Sequence, residues 1–174
     1  MVRYKIPLIL QCLTLLIPLN IYMWGDWMLV NLQWAFFRFQ YASQGSGFFL
    51  ANKDISFILL GFTTGMHTVL AVLSWAAGSI LLLAGILITV YACIREESAR
   101  LRTASFFTLG AGILFGLSAL ERFNGGFAIP LGLPALFFIA WITYRQQHEP
   151  DEDEDNDKGD DKDADDPGAA PDQE

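Results

Sequence analysis

The chain has 174 residues, 53% of them apolar, and a formal net charge of −8. Residues 149–174 carry 14 of the 19 acidic residues and a net charge of −12, whereas residues 1–148 carry nine basic residues and a net charge of +4. This composition excludes a soluble acidic globule, because the apolar share of the first 148 residues exceeds that of soluble domains. It also excludes a nucleic-acid-binding protein, because the nine bases are scattered and form no patch.

Four apolar stretches are long enough, or nearly so, to be predicted as membrane-spanning helices. A span needs about 20 mostly apolar residues, because a helix rises about 1.5 Å per residue and the hydrocarbon core is about 30 Å thick. The stretches cover residues 6–24, 67–94, 104–120 and 127–144. We therefore predict an all-α integral membrane protein, with a four-helix transmembrane domain over residues 1–148. Residues 149–174 are predicted to be a disordered acidic tail, since their few apolar side chains are too small to form a core.

The distribution of basic residues predicts the orientation of this domain. Six of the nine fall on one side of the membrane in the four-helix topology: Arg3, Lys5, Arg95, Arg100, Arg102 and Arg145. Because cytoplasmic loops are enriched in Lys and Arg, both termini are expected in the cytoplasm, with the protein in the cell membrane. Residues 55–94 carry no charge and could form two helices instead of one. A fifth span would place the arginines of residues 95–102 outside, so we expect residues 55–65 to pack at the outer surface.

The segment between the first two predicted spans, residues 25–66, is rich in aromatic residues. Between Met28 and Phe36 the even positions are apolar, while Asn31 and Gln33 occupy odd positions, and this period of two is typical of a strand. A short helix on the membrane surface is equally compatible with such aromatic density. We interpret the segment as an aromatic cap on the helix bundle. The alternative is a docking surface for an external or membrane-embedded partner.

Charged and polar residues of the predicted topology collect near the outer surface of the membrane. Five of them are candidates for a polar rim: Asp26, Arg38, His67, Glu121 and Arg122. Since charges deep in the membrane mark ion and proton pathways, the lack of charges at the middle of the predicted spans argues against a proton-coupled transporter. Arg122 is the strongest candidate for binding, because a guanidinium pairs well with an anionic headgroup or a peptide carboxylate.

Gly112 and Gly116 form a G-x-x-x-G pattern in the third predicted span. Small residues at this spacing allow two helix backbones to approach closely. Packing within the chain is the expected use of the pattern, and homodimerisation is the alternative.

The two cysteines, Cys12 and Cys93, show no C-x-x-C or Cys/His spacing. In the four-helix topology His67 lies a whole membrane away from Cys93, which argues against a cysteine nucleophile with a histidine base. The sequence therefore predicts no catalytic residue, no metal site and no cofactor, and a protein that is not an enzyme.

Two stretches of the sequence resemble a known family. WGDWMLVNLQWAFF and the last hairpin, RFNGGFAIPLGLPALFFIAW, are similar to the corresponding parts of small haloarchaeal integral membrane proteins, some of them encoded beside archaeosortase. Residues 128–132 give the best local match. The resemblance implies a haloarchaeal host and a role near maturation of the cell envelope, and it assigns no role to any residue. The acidic tail suits the high salt of such a cytosol, and binding of a basic partner is its alternative use.

These observations favour a non-enzymatic accessory or scaffold protein of the archaeal cell envelope, embedded in the lipid bilayer. It is expected to act through helix–helix contacts and the outer cap, on another integral membrane protein or on a second copy of itself. The alternative is a small membrane carrier or channel that uses the polar rim around Arg122 and His67. No nucleic-acid partner is expected.

Overall fold

The computed structural model describes residues 5–25, 29–124 and 126–146. These residues form five helices and five strands. The helices are α1 (Lys5–Thr14), α2 (Ala51–Leu59), α3 (Met66–Arg95), α4 (Ala99–Phe123) and α5 (Leu133–Arg145). The strands are β1 (Asn20–Trp24), β2 (Leu29–Gln33), β3 (Phe37–Ala42), β4 (Gly45–Leu50) and β5 (Phe127–Ile129). The predicted acidic tail, residues 149–174, lies outside the described residues.

The prediction of an all-α, four-helix membrane bundle is wrong, because the structure contains a five-stranded antiparallel sheet in the order β4-β3-β2-β1-β5. Among the described residues, two helices, α3 and α4, are long and apolar enough to cross a membrane, by length and composition. They match the predicted spans 67–94 and 104–120. With 30 residues, α3 is about 45 Å long, which exceeds the roughly 30 Å of a hydrocarbon core.

The first and fourth predicted spans each combine a strand with a short helix. Residues 6–24 contain most of α1, a helix of ten residues, and all of β1. Pro18 prevents the helix from continuing, since the residue before a proline disfavours the helical conformation. In residues 127–144, Pro130 separates β5 from α5, a helix of 13 residues. Apolar content alone does not distinguish such a strand from a buried helix segment.

Helices α3 and α4 pack along each other as a hairpin, joined by the short turn after Arg95. Glycines allow the close approach. A Cβ at Gly78 would lie 3.3 Å from the Phe115 ring, and one at Gly85 would lie 3.1 Å from Thr108 Oγ1. The core of the molecule lies where α3, α4 and their neighbours meet, and its buried apolar residues include Leu19, Trp75, Leu82, Phe115 and Leu136.

Helix α5 packs against α4 and runs back toward the start of that helix. Gly112 and Gly116 of α4 face α5, and a Cβ at Gly112 would lie 3.3 Å from the Phe137 ring. Near the start of α4, the hydroxyl of Ser105 donates a hydrogen bond to the carbonyl of Ala140 at 2.6 Å. The end of α5 therefore lies beside the start of α4, and the G-x-x-x-G pattern is occupied by packing within the chain.

The sheet covers the opposite end of the hairpin, where α3 begins and α4 ends. The indole nitrogen of Trp75 on α3 donates a hydrogen bond to the carbonyl of Trp34, just after β2, at 2.8 Å. At one edge of the sheet, β1 pairs with β5, so that Ile21 lies opposite Ile129. Residues 55–65 form the end of α2 and the turn before α3. The sheet thus ties together the segments that precede α3 and follow α4.

Candidate functional site

The side of the sheet that faces α3 and α4 carries a layer of polar side chains. Residues that lie opposite each other on neighbouring antiparallel strands project from the same face. The strand register places six polar residues in two rows, Asn20 with Gln33 and Arg38, and Tyr22 with Asn31 and Gln40. Asn20, Asn31 and Gln33 are completely buried. We call these six residues the polar layer.

The opposite side of the sheet is apolar and partly exposed. It consists of Ile21, Met23, Val30, Leu32, Phe39, Tyr41, Phe48, Phe127 and Ile129, which we call the aromatic face. Tyr41 and Phe48 are 61% and 70% exposed, and the ring centroids of Phe39 and Phe48 lie 4.9 Å apart. The apolar side of a half-buried sheet usually faces the core of the protein. Here the polar side faces the core, and we therefore call this a reversed sheet.

Arg38, a predicted rim residue, lies in the polar layer and joins β3 to α2. Its guanidinium forms two hydrogen bonds with the carboxylate of Asp54, at 2.7 and 2.9 Å, and donates to Asn31 Oδ1 at 2.7 Å and Gln40 Oε1 at 2.6 Å. Burial alone would lower the pKa of Arg38. The hydrogen bond and charge of Asp54, together with Tyr22, outweigh burial and raise that pKa above its ordinary value. Arg38 is therefore a charged, fully paired structural residue.

Arg122, in the last turn of α4, lies on the other side of Tyr22. Its guanidinium carbon lies 4.1 Å from the centroid of the Tyr22 ring, in a cation–π contact. The Nε and Nη2 atoms of Arg122 are buried, and neither has a hydrogen-bond partner in the part of the chain that the structure describes. The neighbouring carboxylate of Glu121 pairs with His67 instead, with Oε2 lying 2.7 Å from Nδ1.

A cavity of about 210 Å³ opens at this end of the hairpin. It is lined by the first turn of α3, the last turn of α4 and the end of β1: Trp24, Gly65, His67, Thr68, Glu121, Arg122 and Asn124. A second, more open depression of about 370 Å³ shares part of this lining and adds the exposed side chains of Leu120 and Phe123. The candidate site is therefore a partly polar cavity with a buried guanidinium in its wall.

The structure brings three of the five predicted rim residues together. His67, Glu121 and Arg122 line one cavity, while Arg38 is separated from it within the polar layer and Asp26 lies outside the described residues. The sequence interpretation missed the polar layer and Tyr22. The polar side chains at odd positions of residues 28–36 were a signal for a strand, but nothing in the sequence indicated that this polar side is the buried one.

The comparisons with known proteins add no support to the resemblance. In the described ranges, no group of three or more His, Cys, Asp or Glu side chains is placed to hold a metal ion. No protein-family model matches the chain, and no curated protein or solved structure is significantly similar to it. The similarity to haloarchaeal membrane proteins stays a prediction. Among the described residues, Arg122 has two donor atoms without a hydrogen-bond partner, and a guanidinium edge of this kind matches an oxyanion.

Proposed function

We propose that the protein is a non-enzymatic accessory protein of the cell envelope, anchored in the cell membrane, whose aromatic face binds another integral membrane protein. The observation that supports this proposal is the reversed sheet, which buries the polar layer and exposes the aromatic face. Large contiguous apolar surfaces are uncommon on monomeric proteins and mark interaction sites. The assignment to the envelope follows from the resemblance to haloarchaeal membrane proteins.

The α3–α4 hairpin is the membrane anchor in this proposal. Exposed apolar side chains recur every seven residues along α3, at Leu73, Ile80, Leu87 and Ile94, with 47% to 74% of each exposed. Exposure of such a long apolar stripe is favourable in lipid and unfavourable in water. Helices α1 and α5, with ten and 13 residues, reach only about 15 and 20 Å. They flank the hairpin, and each crosses the membrane only together with the residues that join it to the sheet, 15–19 and 130–132, since neither helix is long enough by itself.

Basic residues define the orientation that we propose. Arg95, Arg100 and Arg102 lie around the turn between α3 and α4. Lys5, at the start of α1, lies within electrostatic reach of Cys93 at this same end, and α5 also ends here. By the positive-inside rule this end faces the cytoplasm. The chain is then a multi-pass protein with both of its ends in the cytoplasm and the sheet at the outer surface.

Three environments could cover the aromatic face: lipid, water or another protein. Hydrocarbon is excluded, because the open edges at β4 and β5 leave backbone groups that lipid cannot satisfy. Water is unfavourable against the exposed side chains of this face, which are Tyr41, Phe48, Phe127 and Ile129. The sheet packs beside the outer ends of both candidate spans, so a partner that covers it must also lie at the membrane surface. An integral membrane protein with an apolar surface at that height fits these conditions.

Site-specific photo-crosslinking tests this proposal in native membranes. A photoreactive phenylalanine at Phe48, which is 70% exposed on the aromatic face, is expected to crosslink one integral membrane protein. The same probe at Phe106, which is 54% exposed on α4, is the matched control and should mark lipid instead. The identified partner is then purified and mixed with the full chain. Phe48→Ala should weaken this complex by about tenfold, as loss of an aromatic anchor does, and Phe106→Ala should not.

Two results would contradict the proposal. A crosslink from position 48 to a second copy of the same chain would identify the aromatic face as a homodimer interface. Crosslinks to many proteins with equal yield would show that the face has no specific partner. For the orientation, a protease added outside intact cells should not reach a tag placed after Glu174, and cleavage of that tag would overturn it.

The carrier or channel hypothesis places transport at the same end of the molecule. Transport needs a passage that continues between the helices, whereas the cavity lies at one end of the hairpin. Below it, Gly78 and Gly85 bring α3 and α4 into direct contact with each other. The geometry therefore favours binding over transport. Flux of anions through liposomes that changes with Arg122→Ala would reverse this preference.

A further inference from the structure

Within the described part of the chain, the buried guanidinium of Arg122 has neither an ion-pair partner nor a hydrogen bond from Nε or Nη2. A buried charge without an opposite charge and hydrogen bonds is strongly unfavourable. The two nearest carboxylates with described positions are engaged elsewhere, since Asp54 holds Arg38 and Glu121 holds His67. Two of the three guanidinium nitrogens, Nε and Nη2, have no hydrogen-bond partner among the described residues. Among the residues that the structure describes, the charge of Arg122 is thus left uncompensated.

The contact with Tyr22 leaves Arg122 ready to bind an oxyanion. The Tyr22 ring lies against the guanidinium, with 4.1 Å from its centroid to the guanidinium carbon. A cation–π contact uses the flat face of the guanidinium, whereas its N–H donors point outward in the plane. Nε and Nη2 lie on one edge, and this pair of parallel donors matches two oxygens of a phosphate or carboxylate.

The cavity beside Arg122 is large enough for such a group and borders an apolar surface. At about 30 Å³ per water molecule, its 210 Å³ corresponds to about seven waters. Thr68 and Asn124 line the same cavity and carry further hydrogen-bonding groups. The adjoining depression includes Leu120 and Phe123, which are 68% and 54% exposed. An anionic group in this cavity would therefore have apolar neighbours next to it.

We propose that the cavity binds the phosphate of an outer-leaflet phospholipid beside Arg122. Nε and Nη2 are covered in this structure, so a small displacement of the cavity wall lets them donate hydrogen bonds to two phosphate oxygens. The acyl chains of the lipid pack along Leu120 and Phe123. Glu121 opposes the bound phosphate by its charge and is restrained by His67. This site borders the aromatic face, where the Phe123 and Phe127 rings lie 5.8 Å apart, but it does not include that face, and it uses the membrane orientation proposed above.

Calorimetric titration of the purified full-length protein in an uncharged maltoside detergent tests the proposal. The probes are dihexanoyl phosphatidylglycerol, inorganic phosphate and dihexanoylglycerol, which lacks phosphate. The short-chain phospholipid is expected to bind most tightly, and dihexanoylglycerol is expected not to bind. Arg122→Gln should weaken phospholipid binding by at least about tenfold, because hydrogen bonds to a charged group are lost. Arg100→Gln, at the exposed cytoplasmic end of the same helix, is the matched control and should leave it unchanged.

A second variant keeps the test decisive if Arg122→Gln does not fold. Glu121→Gln removes the opposing negative charge while keeping its shape, so phospholipid binding should strengthen by about fivefold. Equal affinity of the wild type, Arg122→Gln and Glu121→Gln would overturn the site. Inorganic phosphate that binds as tightly as the phospholipid would overturn the lipid assignment and indicate free phosphate as the ligand. Equal binding of dihexanoylglycerol would show that acyl chains alone occupy the cavity, which also overturns the proposal.

Discussion

The buried ion pair between Arg38 and Asp54 should be costly to break by removing one partner, and Asp54→Asn tests this. The two side chains are 14% and 6% exposed, and the carboxylate accepts two hydrogen bonds from the guanidinium. Removing one charge from a buried pair leaves the other uncompensated, at a cost of about 3–5 kcal/mol. For a chain of this size that lowers the melting temperature by about 6–20 °C.

Thermal unfolding in detergent, followed by tryptophan fluorescence, measures the change. Glu97→Gln provides the control, because Glu97 pairs with Arg100 in an ion pair whose side chains are 44% and 51% exposed. Exposed pairs contribute about 0–1 kcal/mol, so this variant should melt within about 4 °C of the wild type. A double variant, Arg38→Met with Asp54→Leu, removes both charges and should recover part of the loss.

The sign of the pH dependence is also fixed by the structure. The pKa of Arg38 is raised in the folded state. The charged guanidinium therefore stabilises the fold at every pH below the unfolded-state pKa. This stabilisation is lost only as the pH rises through the higher folded-state pKa. Stability from Arg38 should therefore be constant from neutral to moderately alkaline pH. If Asp54→Asn melts as Glu97→Gln does, the pair does not hold β3 to α2 as we argue.

Two further predictions concern packing around the cavity and the sheet. Tyr22→Leu removes the ring that contacts Arg122 and should lower the free energy of unfolding, measured with denaturant, by about 1–2 kcal/mol. Tyr22→Phe keeps the ring and should lower it less. Equal losses would show that the ring contact is unimportant. Gly132→Ala should destabilise by about 1–3 kcal/mol, because its Cβ would lie 2.9 Å from the Leu19 Cα. Gly47→Ala, whose Cβ would lie 3.5 Å from a ring atom, is its control and should be nearly neutral.

The two long helices could be predicted from the sequence because their apolar residues continue without a proline. The prediction of one helix over residues 6–24 is wrong because Pro18 interrupts this stretch, and the residues after it form β1. A count of apolar residues gives the same value for a helix and for a strand beside one. The five-stranded sheet was visible only as an alternation between Met28 and Phe36.

The candidate site was predictable in part. His67 and Glu121 could be placed together, because they lie at the ends of two neighbouring helices that run in opposite directions. The pairing of Arg38 with Asp54 depends on strand register and on how α2 packs, which no local pattern encodes. Tyr22 was assigned to a membrane span, so its contact with Arg122 was not foreseen. The sequence does not predict which side of the sheet is buried, because apolar side chains are normally the buried ones and here polar side chains are.

The pairing of β1 with β5 has a consequence for how the molecule is assembled during synthesis. Ile21 and Ile129 lie opposite each other, and both long helices lie between them in the chain. About 100 residues must be made after β1 before β5 leaves the ribosome, which takes about 5–20 s at roughly 5–20 residues per second. During that interval β1 can pair with β2 but keeps one edge open. An open edge can pair wrongly, and β5 can close this edge only after both long helices have been synthesised.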